Sequence, residues 1–164
     1  MTKEEAPISD EKLKQEPLNL LLIEINRNRE NQRSLIVVSH GVIELFVNTL
    51  IEAHCKSAKR ISEDTRGYPH SVRLLILHEL GVLSDSKYKM YNWFRRLRNR
   101  AAHDPLFSVC KSDLSHLPEK FREPDKLWDL CMELVCSLWN RNKDVLLPRF
   151  VPSLAAQQKE GDER

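Results

Sequence analysis

The sequence of 164 residues has little glycine and no cysteine pattern typical of a disulfide framework or a metal site. Four glycines are too few for a Gly-rich phosphate loop or for a β-sandwich with many tight turns. The four cysteines contain no Cys-x-x-Cys pair, and Cys131 and Cys136 would lie about 140° apart around a helix. We therefore expect reduced, mostly buried cysteines, no metal site and no cofactor.

An excess of charge of one sign is also absent. The chain has 26 lysines and arginines against 24 aspartates and glutamates, which gives a formal net charge of +2. This balance excludes a generally basic protein that coats nucleic acid, and it argues against an acidic disordered tail. If the protein binds RNA or DNA, its positive charge must be concentrated in one place.

The sequence shows no targeting or membrane-spanning segment by its early pattern. Residues 1–16 are polar and alternate in charge, without a basic region followed by an apolar one. The early apolar run from Leu18 to Ile25 is interrupted by Asn19 and Glu24, and it is far shorter than the roughly 20 residues of a membrane span. We expect a cytoplasmic protein that does not bind a membrane.

Apolar residues recur every three or four positions along most of the chain, which predicts an all-α fold. The first helix is expected to begin at Pro17, because proline fits the first turn of a helix. Further helices are expected over about 29–55, 70–83, 85–103 and 125–147, with the last one ending before Pro148. These segments predict a single bundle of four to five helices over residues 17–150. A polar leader, 1–16, and a flexible tail, 151–164, flank it.

The helix expected over 85–103 concentrates the positive charge. Four arginines occur within six residues and precede His103-Asp104-Pro105, at which the helix should end: Arg95, Arg96, Arg98 and Arg100. Its expected core stripe is Met90, Phe94, Leu97 and Ala101. An Arg-rich helix face is commonly a solvated surface with salt bridges, and a terminal histidine interacts favourably with the helix dipole. The Arg-x4-His spacing alone therefore does not establish a functional site.

The full string Leu97-Arg98-Asn99-Arg100-Ala101-Ala102-His103-Asp104, at a helix end in a small all-α protein, resembles the motif of the HEPN superfamily. That motif is an arginine, a polar residue that is often asparagine, and a histidine four to six residues beyond the arginine. The segment from Ser71 to Phe94 also resembles HEPN-like bacterial domains of uncharacterised or mannitol-repressor-related type. By helix pattern the resemblance extends over Leu35 to Val145, and it implies a HEPN-like helical bundle.

The resemblance implies a role for each motif residue. Arg98 and His103 become the candidate catalytic pair, and Asn99 becomes the polar residue that orients them. The implied reaction is metal-independent RNA cleavage, in which the ribose 2′-hydroxyl attacks the adjacent phosphorus; DNA lacks this hydroxyl. Histidine can accept and donate protons near neutral pH, and the arginine guanidinium stabilises the charge that grows on the phosphoryl oxygens.

Helix geometry limits how the candidate pair can act. Arg98 and His103 are about 140° apart around a helix and roughly 7 to 8 Å apart along it, so one straight helix does not direct both at one phosphate. Either His103 turns where the helix ends, or two chains supply the site. HEPN proteins commonly form two-fold dimers with both motifs in one cleft, so the resemblance implies a homodimer. Arg95, Arg96 and Arg100 would line that cleft and bind RNA phosphates, or would simply be solvated.

Two classes of function stay open. The first is a HEPN-type endoribonuclease that acts as a toxin or phage-defence effector, with RNA as substrate and an antitoxin or regulatory protein as a partner. HEPN toxins that pair with a nucleotidyltransferase antitoxin carry a tyrosine two residues after the histidine. Pro105 occupies that position here, which argues against a tyrosine-modified pairing. The second class is a non-catalytic HEPN-like regulatory or adaptor module that binds a protein partner or nucleic acid.

The remaining histidines and the tryptophans are expected to have structural roles. A zinc site is not expected from the five scattered histidines, which are assigned to the core or the surface: His40, His54, His70, His78 and His116. Trp93, Trp128 and Trp139 are expected in the core or at a dimer interface. Ser39-His40-Gly41 is not expected to form a nucleophile and base, because adjacent side chains on a helix point about 100° apart.

Overall fold

The computed structural model describes residues 10–150, with side chains from residue 17 onward. This part of the chain contains helices and no strand, which confirms the predicted all-α fold class. Two short 3-10 helices, Glu119–Phe121 and Pro124–Lys126, follow the loop after the sixth helix, and a further helix covers residues 143–150. The α-helices that precede the helix over residues 143–150 are α1 Asp10–Arg27, α2 Gln32–His54, α3 Ala58–Glu63, α4 His70–Glu79, α5 Asp85–His103, α6 Lys111–Leu114 and α7 Leu127–Arg141.

The described chain has more helices than the four to five expected. The five long ones, α1, α2, α4, α5 and α7, correspond to the prediction, whereas α3 and α6 are short helices within expected connections. The expected last helix is divided at Asn142, and its predicted end before Pro148 is wrong, because residues 143–150 are helical. Leu146 and Phe150 are buried on either side of Pro148. The free energy gained by their burial outweighs the loss of the one helix hydrogen bond that proline cannot donate.

The starts of α1 and α2 also differ from the predictions. The first helix begins at Asp10 and contains Pro17, because residues 10–16 are mostly good helix formers. Part of the expected leader is therefore helical. The second begins at Gln32, where the extended Asn31 accepts a hydrogen bond from the Ser34 amide at 3.0 Å and caps the helix. Residues 1–9 and the predicted flexible tail, 151–164, lie outside the described residues.

The second helix forms the centre of the bundle. It packs against α1, α3, α4, α5 and α7, and the ring of its Phe46 lies 5.4 Å from that of Trp139 on α7. By length and composition it is the one described helix that could cross a membrane. However, 56 % of its most apolar window is buried inside the structure, as in the core helix of a soluble protein.

The fifth helix has the predicted bounds, and most of its predicted core stripe is confirmed. Phe94, Leu97 and Ala101 are buried, and Met90 is half-buried. Tyr91 adds a contact that the stripe did not include, because its buried hydroxyl donates to the carbonyl of Leu134 on α7 at 2.9 Å. One side of α5 is thus fixed against the core, and its arginines project from the remaining surface.

The cysteines are free, but the prediction that most are buried is wrong. Cys131 is buried, Cys55 and Cys136 are half-buried, and Cys110 is exposed. Cys110 lies at the start of α6, where its amide donates to the Asp113 carboxylate at 3.0 Å, so it takes part in a helix cap instead of packing in the core. Trp139 is buried as expected, whereas Trp93 and Trp128 are half-buried.

Candidate functional site

The residues of the Arg-rich motif divide between two faces of α5. Because a helix advances about 100° per residue, positions three and four apart share a face. One group, Arg95, Arg98 and Asn99, lines a cleft between helices and is named here the cleft face. The other group, Arg96, Arg100 and His103, is exposed and is named the outer face. The structure therefore brings half of the predicted site residues together and separates them from the other half.

The cleft has a volume of about 190 Å³ and lies where α2, the start of α4 and the second half of α5 meet. It contains two histidines that sequence reasoning assigned to the core or the surface. They are 30 positions apart in the chain, so only the packing of α4 against α2 brings them together. The lining residues are His40, Glu44, Pro69, His70, Ser71, Arg95, Arg98 and Asn99.

The two imidazoles contact each other edge to face and lack hydrogen-bond partners. The ring centroids of His40 and His70 are 4.8 Å apart, with an angle of 64° between the ring planes. His40 is only 3 % exposed, and all four ring nitrogens are buried without a hydrogen bond to the described chain. The Glu44 carboxylate lies 3.9 Å from Nδ1 of His40, beyond hydrogen-bond distance. Unpaired buried polar atoms cost free energy, which a bound polar group would recover.

Both imidazoles are neutral at pH 7. Burial, and then the positive charges of Arg98 and Arg95, lower the pKa of His40 to about 4. Burial, followed by His40 and the nearby arginines, lowers the pKa of His70 to about 3. A neutral imidazole has one N–H donor and one acceptor nitrogen, so the pair can both give and accept hydrogen bonds in the cleft.

The start of α4 adds unpaired backbone donors. The amides of Val72 and Arg73 donate to the Pro69 carbonyl at 2.9 and 3.1 Å, whereas those of His70 and Ser71 have no partner in the described chain. No side chain caps this helix, and no acidic residue lies in its first turn. A helix N-terminus with free amides and its positive dipole end favours a bound anion.

A buried arginine holds the start of α4 against α2. Arg73 is 5 % exposed, and its Nε donates to the Tyr68 carbonyl at 2.9 Å. Its Nη1 donates to Oδ1 of Asn48 on α2 at 2.6 Å, and its Nη2 donates to the carbonyls of Ile61 and Ser62 at 3.1 and 3.3 Å. These bonds join the loop before α4 to the central helix, so Arg73 positions His70 beside His40.

The arginines of the cleft face have no acidic partner among the described residues. Nη1 of Arg98 donates to Oδ1 of Asn99 at 3.2 Å, and its buried Nε has no hydrogen bond. Nε of Arg95 donates to Oδ1 of Asn92 at 3.1 Å. Among the residues that the structure describes, Glu44 is the single carboxylate that lines the cleft. Two guanidinium groups outnumber it, so these residues give the cleft a net positive charge.

The outer face presents its groups differently. Arg100 forms an ion pair with Asp113, and its guanidinium lies 5.6 Å from the centre of the Phe107 ring. Arg96 and His103 are exposed and have no hydrogen-bond or ion-pair partner in the described part of the chain. On the outer face, Arg96 and His103 are therefore accessible to a ligand from solvent, whereas the Arg100 guanidinium is already paired with Asp113.

A second arginine fixes the end of α5. Arg33 of α2 donates to the carbonyl of Ala101 at 2.8 Å and to those of Asp104 and Pro105 at 2.7 and 3.2 Å. The Leu106 amide donates to the Asp104 carboxylate at 3.0 Å, which closes the turn after the helix. His103 therefore lies on a fixed helix end, although its ring is exposed.

The arrangement is suited to binding a phosphate or another oxyanion, by guanidinium groups, free amides and ring N–H groups. Among the described residues, no three His, Cys, Asp or Glu side chains come together as metal ligands would. No family model, no curated protein and no solved structure matches the chain.

The one local signal for the cleft is the sequence Tyr-Pro-His-Ser at residues 68–71, which begins a helix without an acidic first turn.

Proposed function

We propose that the protein is a HEPN-type, metal-independent endoribonuclease that binds an RNA phosphate in the cleft. The observation that carries this proposal is the convergence of Arg98 and Asn99 with two neutral histidines, whose ring nitrogens are buried, and with the uncapped start of α4. A phosphodiester is an anion with several hydrogen-bond acceptors, so it complements the donors and the positive charge of this cleft.

In the proposed reaction, the Arg98 guanidinium binds the phosphoryl oxygens and stabilises the charge that develops on them. Asn99 holds Arg98 in place through their 3.2 Å hydrogen bond. The ribose 2′-oxygen forms a bond to phosphorus, the bond to the 5′-oxygen breaks, and a 2′,3′-cyclic phosphate results. Histidine moves the proton from the 2′-hydroxyl or to the 5′-oxygen, and His103 is the motif residue with this role.

The exposure of His103 favours a site shared by two chains. Its ring lies on the outer face, about 140° around α5 from Arg98, so it does not line the cleft of its own chain. In a two-fold homodimer, His103 of one copy could complete the cleft of the other. Arg95 and Arg96 would bind neighbouring phosphates, whereas Arg100 would first have to leave Asp113.

The biological part of the proposal follows from the motif resemblance. The enzyme would act in the cytoplasm as a toxin or phage-defence effector, and an antitoxin or regulatory protein would control it. Such a partner would keep RNA cleavage from harming the cell that carries the enzyme. The proposal includes no membrane partner, which agrees with the burial of the apolar helix α2.

A non-catalytic HEPN-like module that binds nucleic acid or a protein is the second candidate. Two observations favour it: His103 lies outside the cleft, and both cleft histidines are neutral at pH 7. In this case the cleft would bind a phosphate group without His103 beside it to protonate the leaving oxygen.

Cleavage of RNA by the purified chain in EDTA distinguishes these functions. We expect fragments that end in 2′,3′-cyclic phosphate, and a decrease in rate of about 100-fold or more for Arg98→Ala and for His103→Ala. Lys89→Ala removes a positive charge from an exposed position of the same helix and should keep the wild-type rate. A DNA oligonucleotide with a single ribonucleotide should be cut only after that ribose.

Mixing the two inactive variants tests the shared site. Random exchange of Arg98→Ala and His103→Ala copies should restore about a quarter of the wild-type rate, because half of the dimers would have one intact site of two. Without such recovery, the shared site is wrong even if the wild type is active. Intact RNA after incubation with the wild type, together with RNA binding that Arg98→Ala weakens, would establish the non-catalytic module instead.

A further inference from the structure

The proposed cleavage reaction uses His103 and leaves the two histidines of the cleft, the buried His40 and the half-buried His70, without a role. We propose that His40 and His70 form the inner wall of a binding site for one phosphate group, and that this pair takes up one proton when the phosphate binds. The inference rests on the proposed function only in placing a phosphate at this cleft. It does not depend on RNA cleavage.

The geometry provides donors on several sides of a tetrahedral oxyanion. His40 and His70 line the cleft, and their four ring nitrogens are buried and unpaired in the described chain. The free amides of His70 and Ser71 belong to residues that also line it. Arg98 closes the side formed by α5. The neutral pair has one N–H donor per ring; one added proton converts an acceptor nitrogen into a third donor and gives it a positive charge beside the anion.

The charges around His40 and His70 explain why the pair is neutral in the free protein and is protonated only when an anion binds. Arg73 from α4 and Arg95 and Arg98 from α5 oppose a positive charge on His70, and burial opposes it further. Glu44 from α2, with its carboxylate 3.9 Å from Nδ1 of His40, is the one acidic group of the described residues that faces the pair. A bound phosphodiester would add one negative charge at the cleft, and a sulfate or phosphate dianion would add two. Either ligand raises the pKa of the nearer ring, and the dianion raises it more.

Only one proton is expected for the two rings. Their centroids are 4.8 Å apart, and His40 already contributes to the lowered pKa of His70. Two imidazolium ions at this separation would repel each other within a largely buried site. The pair therefore changes from zero to one positive charge, and the proton is shared according to which ring is closer to the bound oxygen.

Nitrogen NMR of the imidazoles tests the proposal directly. Protein labelled with 15N-histidine is titrated with sodium sulfate at pH 6, because sulfate is a tetrahedral dianion that does not itself take up protons at this pH. We expect the free protein to show neutral tautomers for both cleft histidines. Saturating sulfate should convert one of them to the protonated pattern, and sulfate affinity should rise by up to tenfold per pH unit as the pH falls from 7 to 5.

The wild-type protein suffices for this measurement, and variants assign the signals. His40→Asn and His70→Asn each remove one ring signal and show which ring takes up the proton. The double variant should abolish proton uptake, whereas His54→Asn, at an exposed position on α2, should retain it. Sodium chloride at equal ionic strength should leave both rings neutral. The proposal fails if sulfate shifts the labelled His70 amide while both rings stay neutral, or if sulfate does not shift this amide.

A second probe identifies the source of the phosphate. A dinucleotide that lacks the 2′-hydroxyl next to its phosphate cannot be cleaved and presents a phosphodiester. Proton uptake with both probes identifies the backbone of a nucleic acid as the ligand, and uptake with sulfate alone identifies free phosphate or a phosphate monoester. Because neither probe is cleaved, failure here would leave RNA cleavage intact, and absent RNA cleavage would leave a positive NMR result intact.

Discussion

The cleft face and the outer face of α5 carry similar residues in different surroundings. Arg98 is half-buried, has no acidic partner in the described chain and lies beside two neutral histidines. Arg100, two positions later, is exposed and paired with Asp113. A count of arginines in the sequence treats these residues alike, yet only the first can offer an unneutralised charge to a bound anion without breaking an ion pair.

The difference shows that packing, more than composition, makes a charged helix into a site. The cleft face acquires its properties from α2 and α4, which supply the imidazoles and the free amides. The outer face meets solvent and the loop after α5, and its histidine has no partner there. Each face can be altered separately, which makes the comparison open to experiment.

The largest effect is expected from Arg73, which positions the cleft without lining it. Arg73→Met removes a buried guanidinium and leaves its acceptors, including the Tyr68 carbonyl and Asn48, without partners. We expect the free energy of unfolding to fall by about 3 kcal/mol or more in urea denaturation. Arg73→Lys keeps the charge but lacks the planar guanidinium group with its several N–H donors. Its free energy of unfolding should therefore fall by an intermediate amount. If Arg73→Met lowers the free energy of unfolding by less than about 1 kcal/mol, Arg73 does not hold the start of α4 in position.

The bounds of α5 and most of its core stripe were predictable because they depend on local patterns. Apolar spacing places Phe94, Leu97 and Ala101 on one side, and Asp104-Pro105 ends the helix. The same reasoning missed the contact between His40 and His70. Each histidine lies in an ordinary helical pattern, and their meeting depends on the path of residues 56–69, which Arg73 fixes through hydrogen bonds to main-chain carbonyls. No local pattern encodes such bonds.

The buried His40 of the cleft should make the stability of the protein sensitive to acid. The pKa of His40 is about 4 in the folded chain and near its ordinary 6.5 when unfolded. Between these values the unfolded state binds more protons, so His40 makes the free energy of unfolding fall as the pH falls from 6.5 to 4. His40→Asn should remove about 1.4 kcal/mol per pH unit of this slope. Urea denaturation at several pH values measures it.

The comparison requires a control on the outer face. His103→Asn, at an exposed position of the same bundle, controls for the loss of an imidazole as such. His40→Asn also removes a group that lowers the pKa of His70, which decreases the acid sensitivity further and in the same direction. Equal slopes in the wild type and in His40→Asn would show that His40 is protonated in the folded chain at these pH values.

The smallest effect is expected for the two exposed arginines of the outer face, Arg96 and Arg100, which differ in whether an acidic side chain already pairs with them. Arg96 has no acidic partner in the described chain, whereas Arg100 must leave Asp113 to contact RNA. With a single-stranded RNA made uncleavable by 2′-O-methylation, Arg96→Ala should decrease the slope of log affinity against log salt by about 0.7, because one fewer counterion is released. Arg100→Ala should decrease it less. Fluorescence anisotropy over a range of NaCl concentrations gives both slopes. Equal decreases would mean that bound RNA displaces Asp113, and then the outer face would contribute to binding as a whole.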